Sequence, residues 1–96
     1  MYDRKTAAVV TATGEIDLDT VPALRRQLDA ALREHSEVVL DLSGVEFMDC
    51  HGLGVIIQAR NQADRSGGRL VLRGAGPQVL RLLRLTGAER RLCPAP

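Results

Sequence analysis

Aromatic residues are almost missing from this 96-residue chain, which has one Tyr, one Phe and no Trp. Single-stranded nucleic acid is held largely by stacking on aromatic faces, so their scarcity argues against nucleic-acid binding and leaves the core to Leu, Val, Ile and Ala. Cysteine occurs only at positions 50 and 93. Two thiols make no disulfide framework, and the expected compartment is a reducing cytoplasm. Where a signal peptide would need an apolar run, Met1 to Ala8 carries Asp3, Arg4 and Lys5. No apolar stretch nears the roughly 20 residues that cross a bilayer. Even Gly52 to Ile57 is closed off by Gln58 and Arg60, so membrane insertion is not expected.

What is present describes one compact domain, residues 1–96, with its core over about 7–93. Apolar residues make up 45% of the chain, charged residues 26%, and the formal charge is +1. That small total hides an asymmetry. Residues 1–55 hold 5 Lys/Arg and 10 Asp/Glu, a net of −5, and residues 56–96 hold 8 and 2, a net of +6. Two readings stand: complementary patches that steer a partner, or two solvated faces of a small domain.

Hydrophobic patterning alternates between strand and helix. Ala7 to Thr13 (AAVVTAT) reads as a strand that stops at Gly14. A first helix is expected from Val21 to Arg33, with Asp19 or Thr20 as cap, Pro22 in the first turn, and Leu24, Leu28, Ala31 and Leu32 as its apolar stripe. Val38 to Leu42 (VVLDL) fits a strand buried on both faces, with a turn at Ser43 and Gly44. Val45 to Met48 continues as a short extended segment. Asp49 then caps a second helix with Leu53, Ile56, Ile57, Arg60 in part, and Ala63 inward, ending near Ser66. Arg69 to Leu72 is a further strand. Pro77 opens a third helix with Val79, Leu82 and Leu83 inward, stopped by Gly87, and a last short strand is expected at Arg91 to Cys93. The sum is an α/β fold with a largely parallel sheet.

Asp49-Cys50-His51-Gly52-Leu53-Gly54 is the stretch richest in chemistry. A helix N-terminus offers unpaired amides and a partial positive charge, which favour an anion there, and two glycines allow close approach of another backbone. The alternative is ordinary capping by Asp49 with glycines needed only for packing. Catalysis by Cys50 and His51 is not expected. Adjacent residues on a helix project about 100° apart, and a nucleophile normally meets its base across the fold. Cys50, His51, His35 and Cys93 lack a familiar metal-ligand spacing. No catalytic group, metal or cofactor is therefore assigned. A thiol switch at Cys50 stays open: the helix terminus favours a reactive thiol, and the neighbouring Asp49 opposes it.

GEIDLDTVPALRRQL, followed at the right interval by VVLDLSGVEFMDCHGLGVII and by the LRLTG that ends at Gly87, resembles a STAS domain, specifically the bacterial anti-sigma factor antagonists. The similarity runs from about Val9 to Leu92. It implies a small mixed sheet with helices mainly on one face, and a non-enzymatic module whose partner is a kinase-type anti-sigma factor with a bound nucleotide; binding releases the sigma factor. In that family the helix starts Asp-Ser-Ser/Thr-Gly-Leu-Gly and the kinase phosphorylates the serine after the aspartate. Here that serine is Cys50, and His51 takes the next hydroxyl position, so the usual phosphorylation is not expected. The resemblance assigns partner binding to Asp17, Asp49, Cys50, His51, Gly52 and Leu53. An alternative is the STAS subunit of a larger assembly such as a lipid-transporting ABC system. Such domains usually close with another amphipathic helix, which Pro94 and Pro96 would not support. The flank so uncovered suggests a homodimer, the competing expectation being that the tail with Pro94 and Pro96 lies over the gap and leaves a monomer.

Overall fold

The computed structural model describes residues 7–87. The chain alternates strand and helix throughout: β1 (Ala8–Ile16), α1 (Val21–Glu34), β2 (Glu37–Met48), α2 (Cys50–Arg65), β3 (Arg69–Arg73) and α3 (Pro77–Thr86). The three strands lie in the order β1-β2-β3, and both pairings are parallel. Each crossover is a helix, as parallel strands require. The expected strand at Arg91 to Cys93 and the proline-rich end lie outside the described residues, as does the flank on which the homodimer expectation rested.

Period-two alternation decides which side chains meet the helices. Ala12, Val38, Leu40, Leu42, Leu70 and Leu72 face inward and are buried, together with Leu24, Leu28 and Leu32 of α1, Ile56 and Ala63 of α2, and Val79 and Leu83 of α3. The opposite face bears Val9, Val39 and Val71 in one cross-strand row. On either side of that row, ion pairs join Glu37 to Arg69 at 2.7 Å and Asp41 to Arg73 at 3.2 Å. None of the three valines packs against the buried core. The helices therefore cover one face, and the expectation that Val38 to Leu42 is buried on both is corrected: Val39 and Asp41 are only half-buried.

Two local readings of the strands also change. The expected turn at Ser43 and Gly44 is a bulge inside a continuous β2, with Thr11 opposite Asp41 but Thr13 opposite Gly44. The Ser43 amide donates to the Asp41 carboxylate at 2.9 Å, so a side chain satisfies the donor that the bulge withdraws from the ladder. Gly14, the expected stop of β1, sits inside the strand at φ +75°, and a second register shift follows it. Only glycine takes that backbone without strain, and it lets β1 run on to Ile16.

The helices follow their apolar stripes. α1 buries Val21, Leu24, Leu28 and Leu32. α2 buries Leu53, Ile56 and Ala63 as expected, and also Val55 and Ala59, because it packs against α1 as well as the sheet. Ile57 is only partly buried against the core. Leu82 is likewise half-buried, and Leu83 takes the inner position.

Leu40 stands at the middle of the sheet, paired with Val10 on one side and Leu72 on the other, and is fully buried. Leu40→Ala is expected to destabilise the domain by about 2–5 kcal/mol, read as a lowered urea midpoint at unchanged slope.

Candidate functional site

The site forms where β1 and β2 end together. Ile16 pairs with Met48 in the last rung of the ladder, and beyond it the Asp49 amide donates to the Ile16 carbonyl at 3.1 Å. Both chains leave the sheet at this point. One enters the turn that starts at Asp17 and the other enters α2, so residues far apart in sequence become neighbours across one hydrogen bond.

Asp17 organises its turn. Its Oδ1 accepts from the Asp19 and Thr20 amides at 3.0 and 3.2 Å, and its carbonyl accepts from the Thr20 and Val21 amides. Thr20 takes the cap position of α1, but its hydroxyl makes no cap bond into the helix; it donates back to the Glu15 carbonyl at 3.0 Å. The expected capping by Asp19 or Thr20 thus gives way to a turn built on Asp17.

Asp49 caps α2. Its Oδ1 accepts from the His51 amide at 2.9 Å and the Gly52 amide at 3.4 Å, and its Oδ2 lies 3.4 Å from Nδ1 of His51. Desolvation pushes the Asp49 carboxyl up. The hydrogen bonds from the two backbone amides, then the single contact and the charge of the His51 ring, outweigh it and hold the carboxyl below the usual carboxylate range. Cys50 and His51 face solvent in the first turn, His51 with 51% of its side chain exposed.

Gly52 and Leu53 are buried instead. A Cβ on Gly52 would stand 2.6 Å from the Ile16 side chain and 2.8 Å from that of Met48, so the helix start presses directly on the two strand ends. Around Gly54 a Cβ would meet nothing within 4 Å. The close approach expected of both glycines belongs to Gly52 alone, and it is to side chains. The surface at this end therefore comprises Asp17, Asp49, Cys50 and His51, and the two buried residues hold it in place.

The structure adds two residues that patterning did not single out. Leu18, between Asp17 and Asp19, is 64% exposed, and Phe47, opposite Glu15 at the end of β2, is 43% exposed. Glu15, Asp17, Asp19, Glu46 and Asp49 all belong to the ends of β1 and β2 and the residues that directly follow them. The end of the sheet is thus acidic with two apolar projections. A hint of Leu18 lay in the sequence, where an apolar residue sits between two aspartates just before a helix and outside its stripe. For the metal set, His35 lies at the opposite end of β2 from Cys50, and among the described residues no three His, Cys, Asp or Glu side chains gather around a common point.

A parallel sheet covered by helices on one face, with its capped helix start beside the β1 turn, is the architecture of a known class. The family model described as "Mlab, STAS domain" matches residues 2–94, and the chain belongs to the STAS domain family. Within that family the curated relatives it matches include anti-sigma factor antagonists. It is 34% identical over 89 residues to the anti-sigma F factor antagonist of Paenibacillus polymyxa, covering 91% of this chain and 76% of that protein. A solved anti-sigma factor antagonist from Mycobacterium paratuberculosis superposes with a TM-score of 0.79 at 32% identity, over 97% of this chain and 81% of that one. Unphosphorylated SpoIIAA, an anti-sigma factor antagonist, shares the fold with a TM-score of 0.81 at 21% identity, over 100% and 84% of the two chains.

Two measurements check this geometry. Gly52→Ala is expected to cost about 1–3 kcal/mol by overpacking against Ile16 and Met48. Gly54→Ala, in open space, is expected to raise stability by up to about 1 kcal/mol through helix propensity. For Asp49, the depressed folded carboxyl means stability that is fully present above the unfolded value near pH 3.9 and is lost as pH falls through the lower folded value. Asp49→Asn is accordingly expected to remove part of the acid dependence, so that the stability gap to wild type narrows as the pH falls below about 4.

Proposed function

We propose that this protein binds a kinase-type anti-sigma factor through the acidic end of its sheet and thereby frees a sigma factor, without being switched off by phosphorylation at the start of α2. The observation that carries this reading is the exposed pair Cys50 and His51 directly after the Asp49 cap, beside the Asp17 turn. In the antagonists it resembles, an acceptor serine follows the aspartate; here neither residue carries a hydroxyl. The reading makes Asp17, Asp49, Cys50 and His51 the contact surface, with Leu18 and Phe47 as apolar anchors. Five acidic residues at the ends of β1 and β2 suit a partner surface that is basic with apolar hollows. The other expectation, a subunit of a lipid-transporting assembly, is not favoured, since the relatives described above are anti-sigma factor antagonists.

Incubation with the anti-sigma factor and ATP, followed by intact mass measurement, tests the proposal. Wild-type protein is expected to gain no phosphate and to displace the sigma factor from its complex; a phosphate on Cys50 or His51 overturns it. Cys50→Ser restores an acceptor and is expected to be phosphorylated. The added dianion among Asp17, Asp49 and Glu15 then weakens binding by about tenfold or more. At the rim, Leu18→Ala is expected to weaken binding while leaving stability within about 0.5 kcal/mol, because the side chain is mostly exposed.

The exposure of Cys50 favours a second reading, a thiol switch. Peroxide, which takes a thiolate to the sulfenic acid, is expected to weaken binding by wild type and leave Cys50→Ala unaffected. Equal effects on the two proteins remove this reading.

A further inference from the structure

β2 is longer than its neighbour on one side. β3 pairs only with Glu37 to Asp41, whereas among the described residues β2 runs on to Met48 beside β1 alone. The edge of this overhang that faces away from β1 has backbone donors and acceptors to satisfy, and at Met48, fully buried, water is no remedy. A side chain supplies the missing rung. The Met48 amide donates to Oε1 of Gln78 at 3.0 Å, and Nε2 of Gln78 donates to the Met48 carbonyl at 2.9 Å. The backbone partners leave the amide a single orientation, since its oxygen must face the N–H and its nitrogen the C=O. Gln78 thus pairs with Met48 as a strand residue would, from the first turn of α3 and across 30 positions of sequence.

Met48 is thereby held from both sides, by β1 through its pairing with Ile16 and by α3 through Gln78. The residue after it is the Asp49 cap, and the next two are Cys50 and His51. We infer that Gln78 is a positioning residue for this site, a one-rung stand-in for a strand that latches α3 to Met48 and so fixes where α2 begins. The latch concerns the free protein; only its importance for binding rests on the function proposed above. A shift of Met48 along the strand direction would carry the Asp49 cap off the His51 and Gly52 amides and off the Ile16 carbonyl, displacing the exposed pair relative to the Asp17 turn. Buried neighbours Val79 and Leu83 anchor α3 to the core, so the pull of Gln78 acts from a fixed base.

Two variants test the latch. Gln78→Met keeps the length of the side chain and loses both hydrogen bonds. Gln78→Glu, protonated below its ordinary value of about 4.3, still has one donor and one acceptor for Met48; ionised, it sets a carboxylate oxygen against the Met48 carbonyl. Amide exchange and NMR spectra of the free protein are the readouts. With Gln78→Met, Met48 is expected to exchange about tenfold faster or more. The Asp49, Cys50 and His51 signals should move, and those of α1 around Leu28 should not. With Gln78→Glu, these site signals are expected to coincide with wild type below about pH 4 and to depart from it above, a pH profile that a packing role does not produce. Met48 exchange within twofold of wild type in Gln78→Met, a difference in Gln78→Glu that is constant across pH, or shifts spread evenly over α1 each overturn the inference. Binding of the wild-type chain to the anti-sigma factor judges the proposed function separately, so either can fail without the other.

Discussion

The pairing of Ile16 with Met48, and the hydrogen bond from the Asp49 amide to the Ile16 carbonyl just beyond it, set the geometry on which the candidate site depends. Two strands of different origin leave the sheet at the same level, and everything exposed there hangs from that coincidence. It is not obvious from the strands themselves, because β1 and β2 reach it only through two register shifts, at Thr11/Thr13 and Gly14/Glu15. Each shift re-aims the side chains that follow, and together they leave Ile16 and Met48 both pointing into the core. Gly52 then seats α2 against those two side chains. The position of Cys50 is thus a result of packing beneath it more than of anything it touches itself.

The same arrangement explains a division of labour among the motif residues. Asp17 and Asp49 are structural and exposed at once: each spends carboxylate oxygens on nearby amides, and each remains partly open to solvent. A capping group can stay exposed because a cap sits at the end of an element, where the chain turns out toward solvent. Gly52 and Leu53 share the motif for another reason, that of holding the helix down. The exposed surface at this end is thus made of chain ends, resting on the buried Gly52 and Leu53.

Much of this was legible in the sequence, and the reasons are local. Leu24, Leu28 and Leu32 announce α1 by their spacing; Asp49 and Pro77 mark helix starts; VVLDL marks a strand. The errors arose where tertiary pairing overrides a local signal. Ser43-Gly44 has turn composition, yet the ladder with β1 carries the chain straight through as a bulge. Val39 is as apolar as its neighbours, yet faces away from the helices, since nothing in five consecutive residues tells how many faces of a sheet will be covered. Gln78 gave no signal at all, because a side-chain amide bonded to a backbone 30 residues away has no sequence pattern.

The face of the sheet that no described helix covers has a consequence of its own. Bare sheets attract one another through flat apolar rows, and Val9, Val39 and Val71 form such a row. Here it is fenced by Glu37–Arg69 on one side and Asp41–Arg73 on the other. A flat apolar body laid on the valines would strip water from both fences, and desolvating an ion pair without new partners opposes what the three valines return. Among the described residues this face is therefore a narrow apolar strip between two charged borders, a surface that selects against flat, wholly apolar bodies.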